Sequence, residues 1–118
     1  MGTTDEDVKR GLSYLDKEDY ENAFKTLLPC AKNGNIEAQS SIGMMYQLGL
    51  GIEREVGKAI EWLQAAADKG NGNAAHNLGT LYLTCEPDMP SDMKKSEYWY
   101  KKAKELGFIA GTDDWYES

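Results

Sequence analysis

Few side chains in this 118-residue chain can do covalent or metal chemistry: one histidine, His76, and two cysteines, Cys30 and Cys85. A metal site needs three or four ligands brought together, and an acid/base pair needs a second titratable group within hydrogen-bond reach. Only Glu37 or Glu86 could approach His76, which fits a polar groove residue better than a ligand or a base. Ser91 and Lys94 have the S-x-x-K spacing of serine penicillin-recognising enzymes, but the companion S-D-N and K-T-G elements are absent. A small hydrolase is therefore the weakest functional class. No catalytic residue, metal site or cofactor is assigned.

The elements that would position such residues are limited by size and composition. A chain of this length forms one domain and buries most of its apolar surface without disulfides or metals. Hydrophobic content of 41% and charged content of 28% are ordinary for a globular protein. No apolar run approaches the roughly 18 residues of a membrane span, and the acidic start "MGTTDEDVKR" is unlike a secretory leader. A cytoplasmic setting is expected. The net charge of −7 argues against nucleic acid, whose binding rests on neutralising phosphates, and favours a protein partner. Charge is uneven: residues 1–22 hold seven acids and three bases, residues 94–105 five lysines and two glutamates, and the tail "DDWYES" three acids.

The chain repeats itself. "EAQSSIGMMYQLGLG" over "NAAHNLGTLYLTCEP" matches Ala38 with Ala74, Gly43 with Gly79 and Tyr46 with Tyr82, at an offset of 36. "VGKAIEWLQAAADKGN" over "KKSEYWYKKAKELGF" matches Trp62 with Trp99, Ala66 with Ala103 and Gly70 with Gly107, at 37. An earlier unit places Ala23, Leu27, Ala31 and Gly34 at 36 residues before Ala59, Leu63, Ala67 and Gly70, with "GLSY" upstream in the place of "GMMY". The spacing predicts six helices over 5–16, 20–33, 37–48, 55–69, 73–84 and 92–106, grouped as repeats 5–35, 36–71 and 72–108 with a tail at 109–118. Gly34, Gly70 and Gly107 suit left-handed helix ends, Ser91 suits the cap of the last helix, and Pro29 should kink the second helix or leave a carbonyl to water. Gly11, Gly43 and Gly79 recur mid-helix, where glycine costs about 1 kcal/mol against alanine. Close approach of the partner helix, with Tyr14, Tyr46 and Tyr82 over the contact, offsets that cost.

"A-x-x-x-I-G-x-x-Y-x-x-G-x-G" followed by "K-A-I-x-W-x-x-A-A-A-x-x-G" resembles the Sel-one-like repeat, a relative of the tetratricopeptide repeat. The third unit departs at "CEPDMPSD" and at Ser96; the first is closer to an ordinary tetratricopeptide repeat, with Arg10 in a usually apolar position. The resemblance implies an all-α, short right-handed solenoid of three antiparallel helix pairs, and a bacterial, cytoplasmic adaptor or scaffold rather than an enzyme. An immunity protein that covers a basic toxin with its acidic surface is the alternative. Cysteine-rich relatives bridge the two helices of one repeat; Cys30 and Cys85 lie in different pairs, so both are expected as free thiols.

By the same resemblance, the first helix of each pair lines a concave face. The positions are Val8, Leu12 and Leu15 in the first pair; Glu37, Ser40, Met44 and Gln47 in the second; and Asn73, His76, Thr80 and Leu83 in the third. This mixture with an adaptable methionine suits a peptide or helix from a partner. Trp115 and Tyr116 are expected to fold back over the last apolar face. A neighbour's groove, giving self-association, and a partner site are the alternatives for this tail.

Overall fold

The computed structural model describes residues 4–84 and 91–108, which form six helices: α1 (Asp5–Asp16), α2 (Tyr20–Lys32), α3 (Ile36–Leu48), α4 (Val56–Asp68), α5 (Gly72–Leu83) and α6 (Met93–Glu105). Each helix packs on the next in the chain, and α3 also packs directly on α5. The result is a right-handed solenoid of three antiparallel pairs, elongated to 47 × 31 × 24 Å. The α3 and α5 helices approach each other more closely than α2 approaches α4 or α4 approaches α6, which sets α3 and α5 on the inner curve.

Glycine sets the spacing within every pair. A Cβ on Gly11 would lie 2.5 Å from Leu27 Cγ, one on Gly43 2.7 Å from Leu63 Cγ, and one on Gly79 2.8 Å from Tyr100 Cδ1. Leu27, Leu63 and Tyr100 occupy one register position in their three helices. In the third pair Ser96 stands where Ala23 and Ala59 stand, and its hydroxyl donates to the Gly79 carbonyl at 2.8 Å, so a buried polar group is satisfied.

The core falls into two parts. Ala23, Leu27, Cys30, Ala31, Ala38, Ile42 and Met45 fill the first, across α1 to α3. Leu63, Ala66, Ala67, Ala74, Leu78, Trp99 and Ala103 fill the second, across α4 to α6. Tyr46 packs against both, and Trp62 reaches from α4 back onto the first.

Short joints connect the pairs. After α2, Gly34 takes φ 95°, its N–H donates to Ala31 O at 3.0 Å, and the Asn35 N–H donates to Cys30 O at 3.1 Å. These two bonds are the Schellman closure of a helix end. The Asn35 side chain then accepts from Ala38 N at 2.8 Å and so starts α3. Gly70 and Asn71 repeat the arrangement between α4 and α5, with Asn71 Oδ1 accepting from Ala74 N at 2.8 Å. Glu18 and Asp19 reproduce it between α1 and α2, although Glu18 is not glycine and holds φ 60°. Gly107 and Phe108 close α6 in the same way, with phenylalanine where the capping asparagine stands elsewhere.

Two sequence expectations change. Asp92, not Ser91, caps α6: its carboxylate accepts from Lys95 N at 3.1 Å, because the helix begins at Met93 and Ser91 lies one residue too early. The α2 helix continues through Pro29 to Lys32, and Pro29 is exposed, so the Lys25 carbonyl that loses its N–H partner lies on the solvent side. Cys85, Glu86 and the tail with Trp115 and Tyr116 lie outside the described residues.

Candidate protein-binding face

The inner row begins on α1, where Leu12 and Leu15 are half-buried and Val8 is buried at 7% exposure. On α3, Glu37 is exposed, Met44 and Gln47 are half-buried, and Ser40 is buried at 8% exposure. On α5, Asn73 is exposed while His76, Thr80 and Leu83 are half-buried. Val8 and Ser40 therefore belong to the packing between helices and offer no free surface. The α3 helix packs on α2, α4 and α5 at once, which leaves it little exposed side. Leu48, just beyond the sequence-based positions, is 57% exposed.

Polar groups along the row differ in how they are satisfied. Thr80 Oγ1 lies 2.9 Å from the Tyr100 hydroxyl and also donates to the His76 carbonyl at 3.2 Å. The Tyr100 ring fills the position that leucine holds in the other pairs, and its hydroxyl extends to α5. Gln47 presents its backbone carbonyl to Arg54 Nε at 2.8 Å, while its side-chain Oε1 is buried without a hydrogen-bond partner. Such an acceptor costs about 1–3 kcal/mol until a donor reaches it.

His76 sits between two rings, 5.1 Å from Tyr100 and 4.5 Å from Phe108 by centroid. Loss of solvent lowers its pKa below the ordinary value, against a raising contribution from the Asn77 side chain. Both ring contacts are tilted, at 55° to Tyr100 and 36° to Phe108. Among the described residues no group of three or more His, Cys, Asp or Glu side chains is placed to hold a metal ion. Ser91 and Lys94 are both exposed at the start of α6. Cys30 is a free thiol, fully buried, donating to Thr26 O at 3.4 Å. No helix among the described residues is long and apolar enough to cross a membrane.

Sequence reasoning missed Tyr100, Phe108 and the two joint asparagines. The signals were present: "GN" twice and "GF" once after the second helices, and a tyrosine at the leucine register.

The fold and this face define an α/α solenoid of the kind that presents an inner surface to other proteins. Residues 36–71 and 72–108 match the Sel1 repeat, and the chain belongs to that family. It is 38% identical over 64 residues to the DAP3-binding cell death enhancer 1 of Mus musculus, covering 54% of this chain and 12% of that protein. A Sel1 repeat protein from Oxalobacter formigenes superposes with a TM-score of 0.75 at 31% identity, over 84% of this chain and 39% of the other. A protective antigen of uropathogenic Escherichia coli with an SLR fold gives 0.76 at 26% identity, over 86% and 22%. The chain thus spans less than half of each. Proteins of this family are typically protein–protein interaction modules and generally non-enzymatic scaffolds.

Proposed function

We propose that the chain is a cytoplasmic adaptor or scaffold whose inner face takes a peptide or helix from a partner protein. The observation that supports it is the composition of the inner row: Leu12, Met44 and Leu83 supply half-buried apolar surface beside the uncharged Gln47, Asn73 and Thr80. An amphipathic segment laid across it would bury its apolar side chains. The whole row from Val8 through Leu83 lies on the three inner helices, and its buried members shape the face from beneath.

The test is affinity capture with wild type and a Met44→Glu, Asn73→Lys variant, which spares the Thr80–Tyr100 bond. Loss of a stoichiometric partner with unchanged helical circular dichroism is expected. Retention of the partner would refute the inner-face assignment. The acidic start of the chain, with Asp5, Glu6, Asp7, Asp16, Glu18, Asp19 and Glu21, favours a second reading, an inhibitor of a basic protein. That reading expects binding to weaken steeply with salt, whereas a mostly apolar groove with Glu37 as the one charged member of its row weakens little.

A further inference from the structure

One side of the last helix differs in chemistry from the same side of the other second helices. Lys94, Tyr98, Lys101 and Lys102 stand at helical spacing and share one face of α6 over about 12 Å. At these places the repeat puts Gly57, Glu61, Gln64 and Ala65 on α4, and Glu21, Lys25, Leu28 and Pro29 on α2. On α6 the first three are exposed and Lys102 is half-buried, and none belongs to either core. Packing therefore does not select their types. In a chain of net charge −7, this face gathers three lysines around one tyrosine.

The charges on this face are not consumed by the fold. Among the described residues Lys94, Lys101 and Lys102 form no ion pair, although Glu97 and Glu105 lie one turn either side of Lys101. Lys95 differs, with its Nζ 5.3 Å from the centre of the Tyr82 ring. Tyr98 is 58% exposed, and the buried Trp99 ring meets it edge to face at 5.0 Å and 88°. Tyrosine offers apolar contact area at low entropy cost, and the surrounding cations select the partner by charge. A short acidic segment fits best. A nucleic acid or an anionic membrane extends well past the patch and meets the acidic remainder of the molecule, residues 1–22 above all. A few residues of peptide meet only the patch, and salt screens the rest beyond about 8 Å.

We propose that this side of α6 is a second binding surface, where Lys94, Lys101 and Lys102 receive the carboxylates of an acidic segment of a partner protein and the Tyr98 ring takes an apolar side chain between them. Exposed ion pairs make the contact weak and salt-sensitive. It is independent of what the inner face binds.

Titration of the isotope-labelled 118-residue protein with the peptide Glu-Asp-Glu-Phe-Glu-Asp-Glu at low salt, followed by amide NMR shifts, tests it. The expected result is a set of shifts on α6 around Lys94, Tyr98 and Lys101 that fades with added salt. The same peptide with Gln and Asn in place of its acids binds at least about tenfold more weakly. Lys101→Glu weakens the acidic peptide about tenfold and Tyr98→Ala about fivefold, with circular dichroism unchanged. Lys9→Glu on α1, the same change in net charge, has little effect. Absence of shifts on α6 overturns the proposal, as does equal weakening by Lys9→Glu, which reduces the attraction to net charge. Tighter binding of oligothymidylate or phosphatidylserine vesicles to the same face overturns the choice of a peptide. Peptide binding that appears only in an Asp113→Asn, Asp114→Asn variant overturns it too, and assigns the face to the chain's own tail.

Discussion

Replacing Gly43 by alanine sets two effects of opposite sign against each other. Alanine in mid-helix gains about 1 kcal/mol over glycine from propensity. The new Cβ would lie 2.7 Å from Leu63 Cγ, 2.8 Å from Leu63 Cδ2 and 3.1 Å from the Leu63 backbone nitrogen. The side chain can turn aside, but the nitrogen belongs to α4 and moves only with the helix. Overpacking of this kind costs about 1–3 kcal/mol, and the α4 backbone places this site towards the upper end. The expected net effect is a destabilisation of about 1–2 kcal/mol. Gly57→Ala is the control, because a Cβ there meets nothing within 4 Å and the backbone is not left-handed. It should stabilise by about 0.5 kcal/mol, less than a mid-helix site because it lies in the first turn of α4. Urea unfolding followed by circular dichroism measures both. Adding Leu63→Ala closes a double-mutant cycle, in which the Gly43 penalty should shrink only in part, by about 0.5–1 kcal/mol, because the side-chain clash goes while the Leu63 nitrogen stays. If Gly43→Ala stabilises as much as Gly57→Ala does, close helix approach is not the reason for glycine and the account of pair spacing fails.

Other substitutions test the joints and the aromatic stack. Glu18→Gly should stabilise by about 0.5–1 kcal/mol, since a side chain at φ 60° is strained; a lower thermal midpoint would contradict this. Asn71→Ala should cost about 1 kcal/mol by removing the cap on Ala74 N, and an unchanged urea midpoint would show that water replaces it freely. For His76, burial lowers the folded pKa below the ordinary 6.5, so the unfolded chain binds the proton more tightly. Stability is full above about pH 6.5 and falls as pH drops through the interval down to the folded pKa. His76→Phe should remove that component from urea midpoints measured between about pH 7.5 and about pH 5.5; an identical slope in the variant would refute it.

The repeat itself was legible because each unit needs the same small residue at the same crossing. Gly11, Gly43 and Gly79 mark where the paired helix comes closest, and the offsets of 36 and 37 fix the order of the six helices. The inner face was legible only as a row of positions. Val8 and Ser40 sit on it by register, yet neighbouring helices cover them, and how far a neighbour covers a residue depends on side chains from another repeat. Tyr100 shows the same limit: in sequence it is an aromatic at a leucine position, and only the folded chain brings its hydroxyl to Thr80 and its ring to His76. Ser91 and Asp92 are both good caps by residue type, and the choice between them rests on where the α6 hydrogen-bond ladder begins.

The joints have a consequence for how this chain tolerates change in length. Between α2 and α3, and again between α4 and α5, three residues do everything: Asn35 and Asn71 each finish one helix with their backbone and begin the next with their side chain. One inserted residue would separate those two tasks and rotate every later pair about the long axis. The α3–α4 link spans seven residues and the α5–α6 link nine. The α3–α4 link is itself held in place: Leu50 and Ile52 pack on the first core, and a Cβ on Gly51 would lie 2.8 Å from the Tyr20 backbone. The three-residue joints thus set the pitch of the molecule and have no slack to give.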